Sequence, residues 1–134
     1  KFCQSFLRNV ISKSFAVSSH DISDGGLAIA LAESCILSAK GASIELKKDL
    51  NRDDNLLFAE GGSRIIFSID KTKEKEWLSY LKSIQIDSQS SVYVKKIGSV
   101  SSETLMIKIQ EKNICNIRVE ELTEKFNNSI SDHF

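Results

Sequence analysis

Apolar residues recur at helical spacing in the first stretch of the chain, where Phe6, Leu7, Val10 and Ile11 predict a helix over about residues 2–14. Phe15-Ala16-Val17-Ser18 then reads as a short strand leading into a polar string, Ser19-His20-Asp21-Ile22-Ser23-Asp24. From Gly26 to about Ala39, Leu27, Ile29, Ala30, Leu31, Cys35, Ile36 and Leu37 surround the axis of a helix buried on more than one side. Gly41 suits the C-terminal cap of that helix. Ala42-Ser43-Ile44-Glu45-Leu46 alternates and predicts a strand, followed by a charged loop over 47–54 and a short helix over 55–59. Glu60-Gly61-Gly62-Ser63 reads as a turn and Arg64–Ile69 as the clearest buried strand. Asp70 suits the cap of a helix over Lys71–Ile84, with Trp77, Leu78, Leu81 and Ile84 as its inner stripe. Ser91–Val94 begins a further strand that Ile97–Val100 continues after a kink. Thr104–Ile109 and Ile114–Ile117 predict a hairpin around Glu111-Lys112-Asn113, and a last helix covers about Val119–Ile130. Helices interleave with strands and some strands pair locally, the pattern of an α/β or α+β sandwich with a mixed sheet.

Composition narrows this further. The 134 residues suffice for one core and not for two, so a single domain over 1–134 is expected. Lys plus Arg and Asp plus Glu balance at 18 each, which argues against nucleic acid or an anionic membrane as the main partner. No apolar run is long enough to span a bilayer. The start, Lys1-Phe2-Cys3-Gln4, has neither an initiator Met nor a signal-peptide pattern, so the chain is expected to be a fragment of a longer multidomain polypeptide. Cys3, Cys35 and Cys115 are far apart, odd in number and set in apolar contexts, which reads as reduced thiols in a cytoplasmic protein. In that compartment the formal sequon Asn127-Asn128-Ser129 carries no glycan.

Two segments hold candidate chemistry. In the first, Asp21 and Asp24 offer hard oxygen ligands of the kind Mg²⁺ takes beside phosphates and water. Ser23 suits a phosphate oxygen, and Gly25 and Gly26 let backbone N–H groups approach a polyphosphate at the mouth of a helix. The same residues equally describe a helix start, with Ser23 or Asp24 as N-cap and the glycines making a tight turn. His20 reads as a hydrogen-bonded structural residue. In the second segment, Glu60-Gly61-Gly62-Ser63-Arg64 could suit a polar or phosphorylated ligand, but a plain turn carrying a surface Glu–Arg pair is the favoured reading. Lys47, Lys48 and Arg52, mixed with Asp49, Asp53 and Asp54, read as a solvated loop. Trp77 and Tyr80 read as core residues. Neither a Ser/His/Asp triad, zinc-ligand spacing nor a Walker or dinucleotide glycine pattern is present.

The whole string from Ser19 to Glu33, Ser-His-Asp-Ile-Ser-Asp-Gly-Gly-Leu-Ala-Ile-Ala-Leu-Ala-Glu, resembles the C-terminal domain of the synthetase subunit of phosphoribosylformylglycinamidine (FGAM) synthase, within the AIR synthase-related superfamily. The likeness continues through Gly41–Leu46, through Leu57-Phe58-Ala59-Glu60 with Ser63-Arg64, through Ile97-Gly98-Ser99-Val100 and into Val119-Glu120-Glu121-Leu122. It covers nearly the whole chain.

That resemblance implies an α+β, three-layer α/β/α fold with a mixed sheet and partly ferredoxin-like topology. It implies part of an ATP-dependent ligase of purine biosynthesis that phosphorylates the amide oxygen of formylglycinamide ribonucleotide, after which ammonia displaces phosphate. The implied cofactors are Mg²⁺ and ATP or ADP. The implied partners are the other domains of the synthetase chain, a glutaminase subunit (PurQ) that supplies the ammonia, and a small PurS-type subunit. Asp21 matches a Mg²⁺ ligand of an auxiliary nucleotide site, and Ser23, Gly25 and Gly26 match its nucleotide-binding turn. Glu60, Gly61 and Gly62 match, by internal pseudo-symmetry, a substrate-binding loop in which Gly61-Gly62 stands where Ser-Gln is more usual. The isolated domain is expected to be inactive, with no catalytic residue of its own. A non-catalytic scaffold domain of that enzyme and a paralogous ATP-dependent enzyme acting on another amide or carbonyl are the alternatives.

Overall fold

A computed structural model describes residues 2–48, 52–86 and 92–131. In chain order the elements are α1 (Phe2–Ser12), β1 (Ala16–Asp21), α2 (Gly26–Ser38), β2 (Ala42–Leu46), α3 (Asp53–Phe58), β3 (Ile65–Ile69), a 3₁₀ turn (Lys71–Lys73), α4 (Glu74–Ile86), β4 (Gly98–Val100), β5 (Thr104–Ile109), β6 (Lys112–Arg118) and α5 (Val119–Ser131). This is a mixed α+β fold, as expected. Asp49, Leu50 and Asn51 of the anticipated charged loop, and Ser91 of an anticipated strand, lie outside the described residues. Residues 92–94 form no strand. The strand there is only β4, reached after Ile97 has given its carbonyl to the Glu45 N–H at 2.8 Å.

The chain divides into two compact units, Lys1–Asp21 with Ser63–Lys95, and Ile22–Gly62 with Lys96–Phe134. The first is built on β1 and β3, which pair antiparallel from Ala16↔Ile69 to Asp21↔Ile65. Its core is Val10, Phe15 and Trp77, with Phe6, Phe67, Ile69, Tyr80 and Leu81 packed around them. Phe15 and Phe67 both meet the Trp77 ring edge-on, with centroids 5.6 and 5.5 Å away. Such aromatic pairs add about 0.5–1.5 kcal/mol each beyond area burial. The chain reaches this core through the end of α1: Ser14 is left-handed (φ 55°), its N–H bonds Ile11, and the Phe15 N–H bonds Val10. That is a Schellman motif, whose apolar contact here is Val10 with Phe15. Two expectations are corrected here. Every residue of β3 is only half-buried, because among the described residues it has β1 on one edge and no second strand. Leu78, placed on the inner stripe of α4, is 50% exposed, since the aromatic cluster takes Trp77 and Tyr80 instead.

The second unit carries a four-stranded mixed sheet in the order β4-β2-β5-β6, parallel between β2 and β5 and antiparallel elsewhere. The register sets Ala42 beside Leu105, Ile44 beside Ile107 and Leu46 beside Ile109. All six are buried. Since strand side chains alternate faces, one face of the sheet is a continuous apolar surface, each large side chain contributing about 1.5–3 kcal/mol. α2 packs near β5 and lies against α3 and α5, burying Leu27, Ala30, Leu31 and Cys35. Its burial is one-sided, contrary to the all-round pattern: Leu37 is 81% exposed and Ile29 41%. Its left-handed closing residue is Ala39 (φ 52°), and Gly41 is not its cap. Gly41 is needed elsewhere, because a Cβ there would run into the backbone of Thr104. The β5–β6 hairpin turns at Gln110-Glu111, one residue earlier than the anticipated loop, with both residues left-handed (φ 47° and 66°).

Candidate functional site

The His-Asp string crosses from one unit to the other between Asp21 and Ile22. On the first side, Ser19, His20 and Asp21 are the last residues of β1, opposite Phe67, Ile66 and Ile65. Pairing with β3 fixes their alternation. His20 is half-buried and Asp21 is exposed. The His20 Nδ1 lies 2.6 Å from the Asp21 carbonyl oxygen. A carbonyl only accepts, so Nδ1 carries the proton and donates. This is the structural, hydrogen-bonded role expected for His20. The Asp21 carboxylate lies 4.0 Å from the same nitrogen, its side chain 78% exposed. A cavity of about 300 Å³ opens here, lined by Leu7, Ser19, His20, Asp21 and Ile65. Leu7 and Ile65 carry no site signal in the sequence; the β1–β3 pairing sets Ile65 beside Asp21, and Leu7 comes from α1.

On the second side, Ile22 is buried and anchors the turn that follows. Ser23 and Asp24 are exposed. Neither caps α2: the N-cap is Gly25, which is left-handed (φ 76°) and receives no side-chain cap from its own turn. The turn is closed by the Gly26 N–H donating to the Ser23 carbonyl at 3.1 Å. The cap comes from outside. The Gly25 N–H donates to Glu60 Oε1 at 2.9 Å. A carboxylate at a helix N-terminus satisfies an orphan amide and meets the positive end of the helix dipole, together worth about 1 kcal/mol.

Glu60 reaches that point because α3 is pressed against the same turn. A Cβ on Gly26 would lie 2.7 Å from the Leu57 carbonyl oxygen and 2.7 Å from Phe58 Cα. Ala59 is bonded to Asn55 (3.2 Å) and then turns extended, delivering Glu60 to Gly25. Gly61 and Gly62 follow in open space, with nothing within 4 Å of where a Cβ would stand. Neither is left-handed; Ser63 is (φ 64°).

Of the charged candidates expected in a solvated loop, Asp53 and Asp54 instead open α3, and Asp53 Oδ1 is shielded from solvent. Arg52 donates to both Asp54 carboxylate oxygens at 3.1 and 2.9 Å, and Lys48 lies 3.3 Å from Asp53. The three cysteines are free thiols, and burial pushes both Cys35 and Cys115 above their ordinary range, which makes thiolate chemistry unfavourable at those positions. Among the described residues no group of three or more His, Cys, Asp or Glu side chains converges on one point. No helix there is long and apolar enough to cross a membrane.

Comparison with known proteins places these elements in a family. Residues 6–110 match the family described as "AIR synthase related protein, C-terminal domain". The chain belongs to that family. It is 82% identical over all 134 residues to "Phosphoribosylformylglycinamidine synthase subunit PurL" of Prochlorococcus marinus (strain MIT 9312). It spans 17% of the length of that relative. Among solved structures, "T. maritima PurL complexed with ATP" superposes over 91% of this chain and 21% of its own, with a TM-score of 0.75 at 14% identity. "Structure of PurLQS from Thermotoga maritima" does so over 92% and 21%, with a TM-score of 0.74 at 13% identity. These superpositions establish a shared fold.

Proposed function

We propose that this chain is a C-terminal AIR synthase-related domain of the synthetase subunit of FGAM synthase, one domain over 1–134 within a longer polypeptide. Identity of 82% over all 134 residues with a protein of that name carries the reading. The enzyme joins ammonia to the ATP-activated amide of formylglycinamide ribonucleotide in the cytoplasm. A glutaminase (PurQ) and a small PurS-type subunit are its partners, a reading supported by the PurLQS assembly of a protein with the same fold.

In this reading the Ser19–Gly26 string is the chain's share of a Mg-nucleotide site. Asp21 and Ser23 fit that group. Magnesium needs only one or two protein carboxylates when phosphates and water complete its shell, and Asp21 is a single exposed carboxylate. Magnesium there would supply charge neutralisation for the phosphates. Ser23 presents an exposed hydroxyl to a phosphate oxygen. Gly25 and Gly26 permit the turn by being left-handed, while their amides are bonded within the chain to Glu60 and Ser23. That occupation also favours a second reading, in which the turn is scaffold only.

The deciding experiment measures ADP release by the full-length protein carrying this chain, given formylglycinamide ribonucleotide, ATP, Mg²⁺ and ammonia, beside its Asp21→Ala variant. Turnover in the wild type with weakened nucleotide binding in the variant is expected. Turnover with an unaffected variant reduces the turn to scaffold. A folded but inactive wild type overturns the assignment in favour of a paralogous ATP-dependent enzyme.

A further inference from the structure

We propose that Glu60 is a positioning residue whose carboxylate holds the Ser23–Gly26 turn in the shape that a nucleotide meets, and that it does not itself touch substrate. The proposal rests on the nucleotide reading of that turn. Three independent features carry it. The turn lacks a side-chain cap of its own, and Glu60 Oε1 provides the missing acceptor at 2.9 Å from the Gly25 nitrogen. Glu60 is delivered there by α3, whose last residues leave Gly26 no space for a Cβ, so the anchor and the turn are locked together. Past Glu60 the chain loses its packing at once, since Gly61 and Gly62 stand in open space. On this side of the turn the hold comes from α3 and from the Glu60 carboxylate. Charge points the same way. A carboxylate already accepting the amide is a poor ligand for a phosphorylated substrate, which it repels.

The test uses the full-length protein that carries this chain. MgATP binding is measured for the wild type, Glu60→Ala and Glu60→Gln, and the component that Asp21→Ala removes is followed. Exchange of the Gly25 amide and the KM for formylglycinamide ribonucleotide are measured alongside. Glu60→Ala is expected to weaken that component about five- to tenfold and to accelerate Gly25 exchange to match, the size of a lost helix cap. Glu60→Gln keeps an acceptor oxygen and is expected to stay within about twofold, with KM unchanged in both. Tighter MgATP binding in Glu60→Ala would make the carboxylate a competing anion and overturn the proposal. A raised KM with unchanged nucleotide binding would make it a substrate contact, with the same consequence. If Asp21→Ala removes no nucleotide binding, the nucleotide reading itself fails. In that case faster Gly25 exchange in Glu60→Ala than in Glu60→Gln still supports the cap, and equal rates refute it. Should Glu60→Ala unfold, Glu60→Asp, with a carboxylate one methylene short, takes its place.

Discussion

The backbone N–H of Gly25 donates to the Glu60 carboxylate at 2.9 Å across 35 residues of sequence, tying the mouth of α2 to the exit of α3. The adjoining Gly26 makes that approach possible, being left-handed (φ 69°) and 2.7 Å, at the position of a Cβ, from the α3 backbone. Gly26→Ala should therefore cost about 2–4 kcal/mol, from the left-handed penalty plus overpacking against backbone that has little room to yield. Gly61→Ala and Gly62→Ala, in open space with ordinary φ, should each fall within about 0.5 kcal/mol of the parent. Urea denaturation of the three variants checks the contrast; equal losses at all three glycines would contradict it.

The parts of this fold that were legible in the sequence are those with a local period. The alternation Ala42, Ile44, Leu46 announced β2, and the apolar ring from Leu27 to Cys35 announced α2. What the sequence does not display is which elements meet. Glu60 reads as a turn residue or a ligand, and becomes a helix cap only because α3 abuts Gly26. Gly41 reads as a helix terminator, yet its lack of a side chain serves the approach of Thr104, far along the chain. Leu78 sits at helical spacing with Trp77 and Leu81, but aromatic packing turns Trp77 and Tyr80 inward and leaves Leu78 half exposed. The Ser19–Glu33 string was legible as a family likeness, while its division between two units was not.

Ala39 closes α2 in the left-handed region at φ 52°, with its N–H on Ile36 and the Lys40 N–H on Cys35. An L-residue there carries a steric penalty that glycine escapes. Ala39→Gly should stabilise the protein by up to about 1 kcal/mol, the greater entropy of an unfolded glycine offsetting part of the gain. Gly41→Ala should do the reverse, because it meets the Thr104 backbone. Thermal melting of the pair decides between these assignments: a loss on Ala39→Gly would mean that the helix terminates elsewhere.

The Gln110-Glu111 loop joins Ile109 to Lys112 with both of its residues left-handed, the dihedrals of a type I′ hairpin turn. Asn-Gly adopts that conformation at far lower cost than Gln-Glu. The double replacement Gln110→Asn with Glu111→Gly is expected to raise stability by about 1 kcal/mol. It should leave the β5–β6 register intact, so protection of the Cys115 amide in hydrogen exchange should rise with the global stability. A destabilised double variant would show that the loop prefers a different turn.

Asp70 opens the 3₁₀ turn before α4, accepting from the Thr72 N–H at 2.8 Å and from its hydroxyl at 2.7 Å. These two bonds, the backbone one foremost, hold the Asp70 carboxyl below its ordinary pKa, with Lys73 adding a smaller pull. A carboxyl whose pKa is depressed on folding binds its proton more readily when unfolded, so folding is favoured wherever the group is ionised. The contribution is fully present above the ordinary carboxylate pKa of about 4 and disappears as the pH falls through the lower, folded value. Asp70→Asn should consequently melt below the parent at neutral pH. The gap should narrow in the acid range beneath about pH 4 and close once the parent carboxyl is protonated. Because the side chain is exposed, high salt should trim only the Lys73 share and leave the two Thr72 bonds in place. Melting curves of parent and variant that stay parallel from neutral pH down through the acid range would show that the cap is not the source of the shift.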